Sequence, residues 1–258
     1  MKIRFSLLTF HYTSSGIGAF FISSRMALAF FYTEKLETGT IVLDENNSRH
    51  IVQVLRMAKG EMLLLTDGKG KKAEAEIVDD NKKHCGVQIA SLQQMPDKKH
   101  RVTIGLSLIK NSSRFEWFLE KATEIGISEI IPLICERTEK EKFRHDRLNG
   151  IVISAMLQSQ QCWLPLLHEP VEFQNLVQNN HFRQRFIAHC LPEQKQVLPH
   201  YSPVTDTSSC ILIGPEGDFT KVEIELAIKH HFHPVALGPT RLRTETAGVV
   251  AATLLCIK

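Results

Sequence analysis

The chain has 258 residues, 43% of them apolar and 23% charged, which is the balance of an ordinary water-soluble globular protein. A formal charge of +3 is close to neutral for this length, so bulk charge neither requires nor excludes nucleic acid, and any basic footprint is local. No apolar run is long enough to span a membrane, and the cysteines are scattered without a C-x-x-C pair or zinc-ligand spacing; they read as buried free thiols of a cytoplasmic protein with no metal site.

Lys2 and Arg4 ahead of Phe5-Ser6-Leu7-Leu8 have the look of a signal peptide, but residues 11–16 break the apolar stretch too early for one. Residues 1–25 therefore read as an extension upstream of a start at Met26. From Phe30 to Met95 the pattern is strands and turns. Met62-Leu63-Leu64-Leu65 runs into Thr66-Asp67-Gly68-Lys69-Gly70, and residues 73–78 then alternate with period two, predicting a hairpin with a long loop. Residues 86–90 add a strand, and a short helix is expected over residues 48–55. A small β-barrel fits residues 26–97. Residues 95–100 are polar and proline-punctuated, a linker.

Beyond the linker, strands alternate with helices, which predicts a mostly parallel sheet. Strands are expected at residues 102–109, 130–134, 185–190, 210–213 and 234–237. Ser113-x-x-Glu116 and Thr220-x-x-Glu223 read as capping boxes at helix starts, and Gly126 as a helix stop. Further helices are expected over residues 147–160 and 246–256. Ligands of such sheets bind at the carboxyl ends of the strands. Two strands here run into glycine-proline turns, Ile213-Gly214-Pro215-Glu216-Gly217-Asp218 and Leu237-Gly238-Pro239-Thr240-Arg241-Leu242-Arg243. Neither is a dinucleotide fingerprint or a phosphate loop, so the pocket suits a nucleoside without a triphosphate.

The stretch from Ile211 to Leu255 closely resembles the C-terminal motifs of the SPOUT methyltransferases. Among them it is most similar to the bacterial family that methylates N3 of one uridine in small-subunit ribosomal RNA. Lys110-Asn111, residues 121–126, Pro132 to Glu139, Arg49-His50 and Leu55-Arg56 match that family too. The resemblance implies an α/β fold: an N-terminal PUA-like β-barrel and, over residues 98–258, a SPOUT domain with a deep trefoil knot. It also implies S-adenosyl-L-methionine as cofactor, 16S ribosomal RNA in the small subunit as partner, and a homodimer with its sites near the interface. Leu212, Gly214, Pro215, Glu216 and Gly217 would line one side of the cofactor pocket, and Leu237, Gly238, Leu242 and Thr246 the other, with the strand ending near His189 as a third wall. Two stretches depart from the family. Gln158-Ser159-Gln160-Gln161 stands where Gln-Ser-Gly-Arg is usual, and Asp218 stands where a second glycine is common.

Uracil N3 attacks a methyl group well only after losing its proton, so the chemistry asks for a base or for a cation beside the flanking carbonyls. Glu216 is the candidate base and Arg243 the candidate stabiliser. Arg49, Arg56 and Arg114 are the candidate RNA contacts, whereas the acid-interleaved run at residues 139–147 reads as a solvated face and the lysines at the hairpin tip as either. The alternatives are a methyltransferase for another base or RNA, and a PUA-type RNA-binding or ribosome assembly factor without catalysis.

Overall fold

A computed structural model describes residues 28–139, 142–192, 195–198 and 208–257, so the expectation for residues 1–25 lies outside the described residues. The first part is built from β1 (Phe30–Tyr32), β2 (Thr40–Val42), β3 (Met62–Thr66), β4 (Lys71–Asp79) and β5 (Gly86–Gln94). They form a five-stranded sheet in the order β1-β3-β4-β5-β2. β4 shows the expected alternation: Ala73, Ala75 and Ile77 are buried and Glu74 and Glu76 exposed. The short helix starts earlier than periodicity suggests, as α1 (Glu45–Arg49), because the Asp44 carboxylate accepts from the Asn47 N–H at 3.0 Å and caps it. It continues as a π-turn over His50–Val54.

The second part comprises β6 (Arg101–Ser107), α2 (Ser112–Ile125), β7 (Glu129–Ile134), α3 (His145–Gln158), β8 (Leu166–Leu167), β9 (Val171–Glu172), α4 (Phe173–Gln178), β10 (Gln184–Ala188), β11 (Gln196–Val197), β12 (Ser208–Ile213), α5 (Lys221–Lys229), β13 (His233–Ala236) and α6 (Thr244–Cys256). Its eight-stranded sheet runs β11-β13-β10-β12-β6-β7-β8, with β9 also on β7, and the pairs are parallel as expected. β12 lies in the middle and feeds two cores. Ile211 and Ile213 pack among residues of α2, α3 and α6, while Cys210 and Leu212 pack among residues of α4 and α5 on the opposite face. Gly248 lets α6 lie close on β6 and α2: a Cβ there would stand 2.6 Å from both Leu106 and Phe118 side-chain carbons.

Thr220 and Glu223 form the expected capping box, and Gly126 ends α2 at φ +100°. The box expected at Ser113 and Glu116 does not form. Asn111 caps α2 instead, its Oδ1 accepting from the Ser113 N–H at 3.0 Å, and Glu116 pairs with Arg147 of α3 at 2.8 Å. An asparagine carbonyl is as good a cap as a serine hydroxyl, and placing it here starts the helix two residues earlier. The cysteines are free thiols, but not all are buried, since Cys190 is exposed.

The β3–β4 hairpin tip docks on the second part. Gly70 N–H donates to Cys162 O at 2.8 Å, Leu164 N–H donates to Gly68 O at 2.8 Å, and Trp163 Nε1–H donates to Pro96 O at 3.1 Å. A Cβ on Gly70 would stand 2.3 Å from the Trp163 ring. The tip lysines serve this region locally: Lys71 Nζ donates to Leu36 O at 3.1 Å, and Lys72 sits 6.0 Å over the Phe30 ring.

Candidate active site

In the parallel ladder Ala188 of β10 lies level with Ile213 of β12 and with Val235 of β13, so these strands end side by side. The loops that leave them line a cavity of about 590 Å³, a size typical of small-molecule sites, which run from about 300 to 1,000 Å³. Gly214 to Glu216 form one wall, Leu237 to Arg243 the second, His189 and Cys190 the third, and Thr244 and Ala247 of α6 the floor. A Cβ built on Gly238 meets nothing within 4 Å, so the loop presents bare backbone to the space.

Hydrogen bonds lock these loops together. Thr244 Oγ1–H donates to Gly214 O at 3.0 Å and ties the start of α6 to the end of β12. Asp218 accepts from Cys190 N–H at 2.7 Å and from Phe219 N–H at 2.9 Å, joining the β10 and β12 loops. Lys195 Nζ donates to His189 O at 2.8 Å and to Leu191 O at 2.5 Å, folding the β10 loop back on itself. Below the site, burial pushes the Cys135 thiol up to about 12 and raises that of Cys210, so both are inert packing groups.

The structure brings Gly214, Pro215, Glu216, Leu237, Gly238, Leu242 and Arg243 to the cavity, with His189 beside them. Leu212, Gly217 and Thr246 do not line it. Leu212 is fully buried in the core on the far face of the sheet, as its parity with Ile213 requires. The Gly217 carbonyl turns outward to accept from Arg137 Nη1. Thr246 is turned off the helix face that carries Thr244 and Ala247. Arg49 and Arg56 lie at the exposed π-turn, Arg49 paired with Glu45 at 2.7 Å and Arg56 at φ +57°. Arg114, expected among the RNA contacts, lines the cavity, where its Nη1–H donates to Glu216 at 2.9 Å. Cys190, Lys195, Thr244 and Ala247 also line it. Sequence reasoning passed over these, although Thr244 and Ala247 share one helix face with the predicted loop just before them.

Among the described residues no group of three or more His, Cys, Asp or Glu side chains gathers as a metal site, and no helix is long and apolar enough to cross a membrane.

A parallel sheet with a small-molecule-sized cavity at its strand ends, and a small β-sheet module docked beside it, is the architecture of an α/β ligand-binding domain joined to a second module. Family models make the class specific. One described as an RNA methyltransferase domain matches residues 96–256, and one described as an RNA methyltransferase PUA domain matches residues 43–90. The chain belongs to the RNA methyltransferase family, with a PUA-like N-terminal module and a SPOUT methyltransferase domain. It is 28% identical over 233 residues to the ribosomal RNA small subunit methyltransferase E of Rickettsia conorii, covering 90% of this chain and 91% of that one. Among solved structures it resembles a probable rRNA methyltransferase from Porphyromonas gingivalis at TM-score 0.82 and 35% identity, over 88% of this chain and 98% of the other. It also resembles the ribosomal RNA small subunit methyltransferase E of Neisseria gonorrhoeae bound to S-adenosyl methionine, at TM-score 0.77 and 27% identity, over 88% and 95% of the two chains.

Proposed function

We propose that this protein methylates N3 of a uridine in 16S ribosomal RNA, using S-adenosylmethionine. The observation that carries the reading is the cavity at the joined ends of β10, β12 and β13, in a chain of the RNA methyltransferase family. The similar enzymes are small-subunit rRNA methyltransferases, and two similar solved structures hold S-adenosylmethionine. The residues present fit that cofactor: the space beside Gly238 takes a flat ring close to the backbone, and the neighbouring amides and carbonyls supply directional partners.

When bound, the cofactor supplies a methyl group already activated on a cationic sulfur. The protein's task is to align the base and manage one proton. In this reading Gly214, Pro215, Leu237, Gly238 and Leu242 offer backbone to the cofactor, and Leu212, Gly217 and Thr246 shape those walls from behind. Glu216 takes the N3 proton and Arg243 meets the incoming nucleotide at the rim. Residues 26–97 grip the RNA through phosphate contacts from Arg49 and Arg56, and residues 98–258 carry the transfer. The protein works in the cytoplasm, where ribosomal RNA is made, as a homodimer of knotted catalytic domains.

Titration calorimetry with S-adenosylmethionine is the first test, and absence of binding overturns the reading. The second is nucleoside mass spectrometry of 16S RNA from cells lacking the gene. Loss of 3-methyluridine is expected, and its persistence assigns the activity elsewhere. Light scattering in solution checks the dimer.

A further inference from the structure

Arg114, Arg241 and Arg243 all line the cavity, but they are held differently. Arg241 and Arg243 are exposed, and no side-chain hydrogen bond or ion pair holds either among the described residues. Arg114 is held at two points. Its Nη1–H donates to Glu216 Oε1 at 2.9 Å, and its Nε lies 3.7 Å from Glu245 Oε1. The two carboxylates are unlike: the Glu216 side chain is 55% exposed, whereas that of Glu245 is 8% exposed.

A carboxylate as buried as Glu245 is costly to keep without a counter-charge. Its Oε2 makes no hydrogen bond among the described residues, and it sits in the first turn of α6, where the helix dipole favours an anion. Its neighbours Thr244, Ala247 and Gly248 are small and buried, so nothing in the packing demands a charge there. The Glu245 charge lies beside the Nε of Arg114 as an ion pair, while Nη1 donates to the more exposed Glu216 in the cavity wall.

We infer that Arg114 is a catalytic residue that takes up the negative charge on the substrate base, and that Glu245 is its positioning residue. The inference rests on the uridine N3 reading above. A uracil carbonyl beside N3 replaces Glu216 on Nη1. The freed Glu216 carboxylate accepts the N3 proton and passes it to water. The negative charge spreads onto the carbonyl oxygen held by Arg114, which stays protonated throughout. N3 then takes the methyl with its own electron pair, while the pair of the broken carbon–sulfur bond remains on sulfur, leaving a neutral thioether. A donor already fixed at the site of developing charge needs no reorganisation during the reaction, which is where such groups act most strongly.

The test compares Arg114→Ala, Arg114→Lys and Glu245→Gln with the native protein in single-turnover methylation of small subunits lacking the modification, as a function of pH. Cofactor binding by calorimetry and RNA binding by filter retention run alongside. Arg114→Ala is expected to bind both ligands yet lose about 100-fold in rate at neutral pH. The loss should shrink in alkali, where uracil N3 ionises unaided, and added guanidinium should restore part of the rate. Glu245→Gln should lose on the order of tenfold, with KM for the subunit unchanged and the rising limb of the pH profile moved to higher pH. Arg114→Lys keeps the charge but not the guanidinium geometry, and should give a smaller shift in the same direction should the alanine variant fold poorly. Variants that lose RNA affinity and rate together, with the native pH profile, make Arg114 a phosphate contact and overturn the inference alone. Native protein that methylates no uridine N3 overturns the functional reading and the inference together.

Discussion

Gln160 and Asp218 both carry left-handed backbone, at φ +57° and φ +62°. Asp218 offsets the strain with two backbone hydrogen bonds, one across the cavity loops from Cys190 N–H and one from its neighbour Phe219 N–H. Beside Gln160, Gln161 Nε2–H donates to Thr123 O at 2.7 Å and Glu124 O at 3.2 Å, satisfying carbonyls at the end of α2. This loop is a helix fastening, tied to the end of α2 by Gln161. Gln160→Gly should stabilise the protein by up to about 1 kcal/mol, the left-handed penalty less the added freedom of the unfolded chain; a denaturant titration with unchanged slope is the check. A second residue-scale prediction concerns acid. The hydrogen bond from His168, at 3.1 Å, is the main cause holding the Glu129 carboxyl below its ordinary value. A depressed carboxyl contributes stability that is fully present above the ordinary value of 4.5 and is lost as pH falls through the lower folded value. Glu129→Gln should therefore unfold at lower temperature than the native protein near neutrality, and the two curves should draw together in acid.

Elements were legible where a local pattern decided them. Period-two alternation in β4, the apolar block of β6 and the capping box of α5 were each fixed by residues a few positions apart. The start of α2 was misread because Asn111 and Ser113 compete for one cap and only geometry chooses between them. The cavity loops were legible as glycine-proline turns after strands, but not which atoms face inward. Leu212 lies off the cavity because strand parity sends it opposite to Ile213, and the pairing of Arg114 with Glu216 could not be read because the two are 102 residues apart in the chain. No local signal carries that pairing. The loop after β13 yields an element-scale prediction. Gly238 has open space and no positive φ, so Gly238→Leu should fold normally and fill the cavity. Calorimetry should then show cofactor affinity reduced at least about tenfold, equivalent to about 1.4 kcal/mol, with the melting temperature kept. Retained affinity would place the ligand elsewhere.

At the scale of the whole molecule, the two sheets meet through the β3–β4 tip. Its backbone pairs with residues 162–164, and Gly70 lies against the Trp163 ring. Gly70→Ala introduces a clash and a strained φ of +93° together. It should cost at least about 1–3 kcal/mol and split one thermal transition into two, while leaving cofactor binding in place. Differential scanning calorimetry with and without S-adenosylmethionine distinguishes this from general unfolding, since ligand should raise only the second transition.

Under the proposed RNA reading, that seam would make the protein a caliper, its jaws being Arg49 and Arg56 on either side of the π-turn and the cavity mouth, held apart by the pinned hairpin. A tool of fixed span selects its target by distance along a folded RNA, whatever the letters between. One base pair inserted in the RNA between the gripped phosphates and the target should move the methyl mark to the nucleotide that now lies at the set span, or abolish it where no uridine does. A mark that stayed with the original nucleotide would mean that the jaws flex.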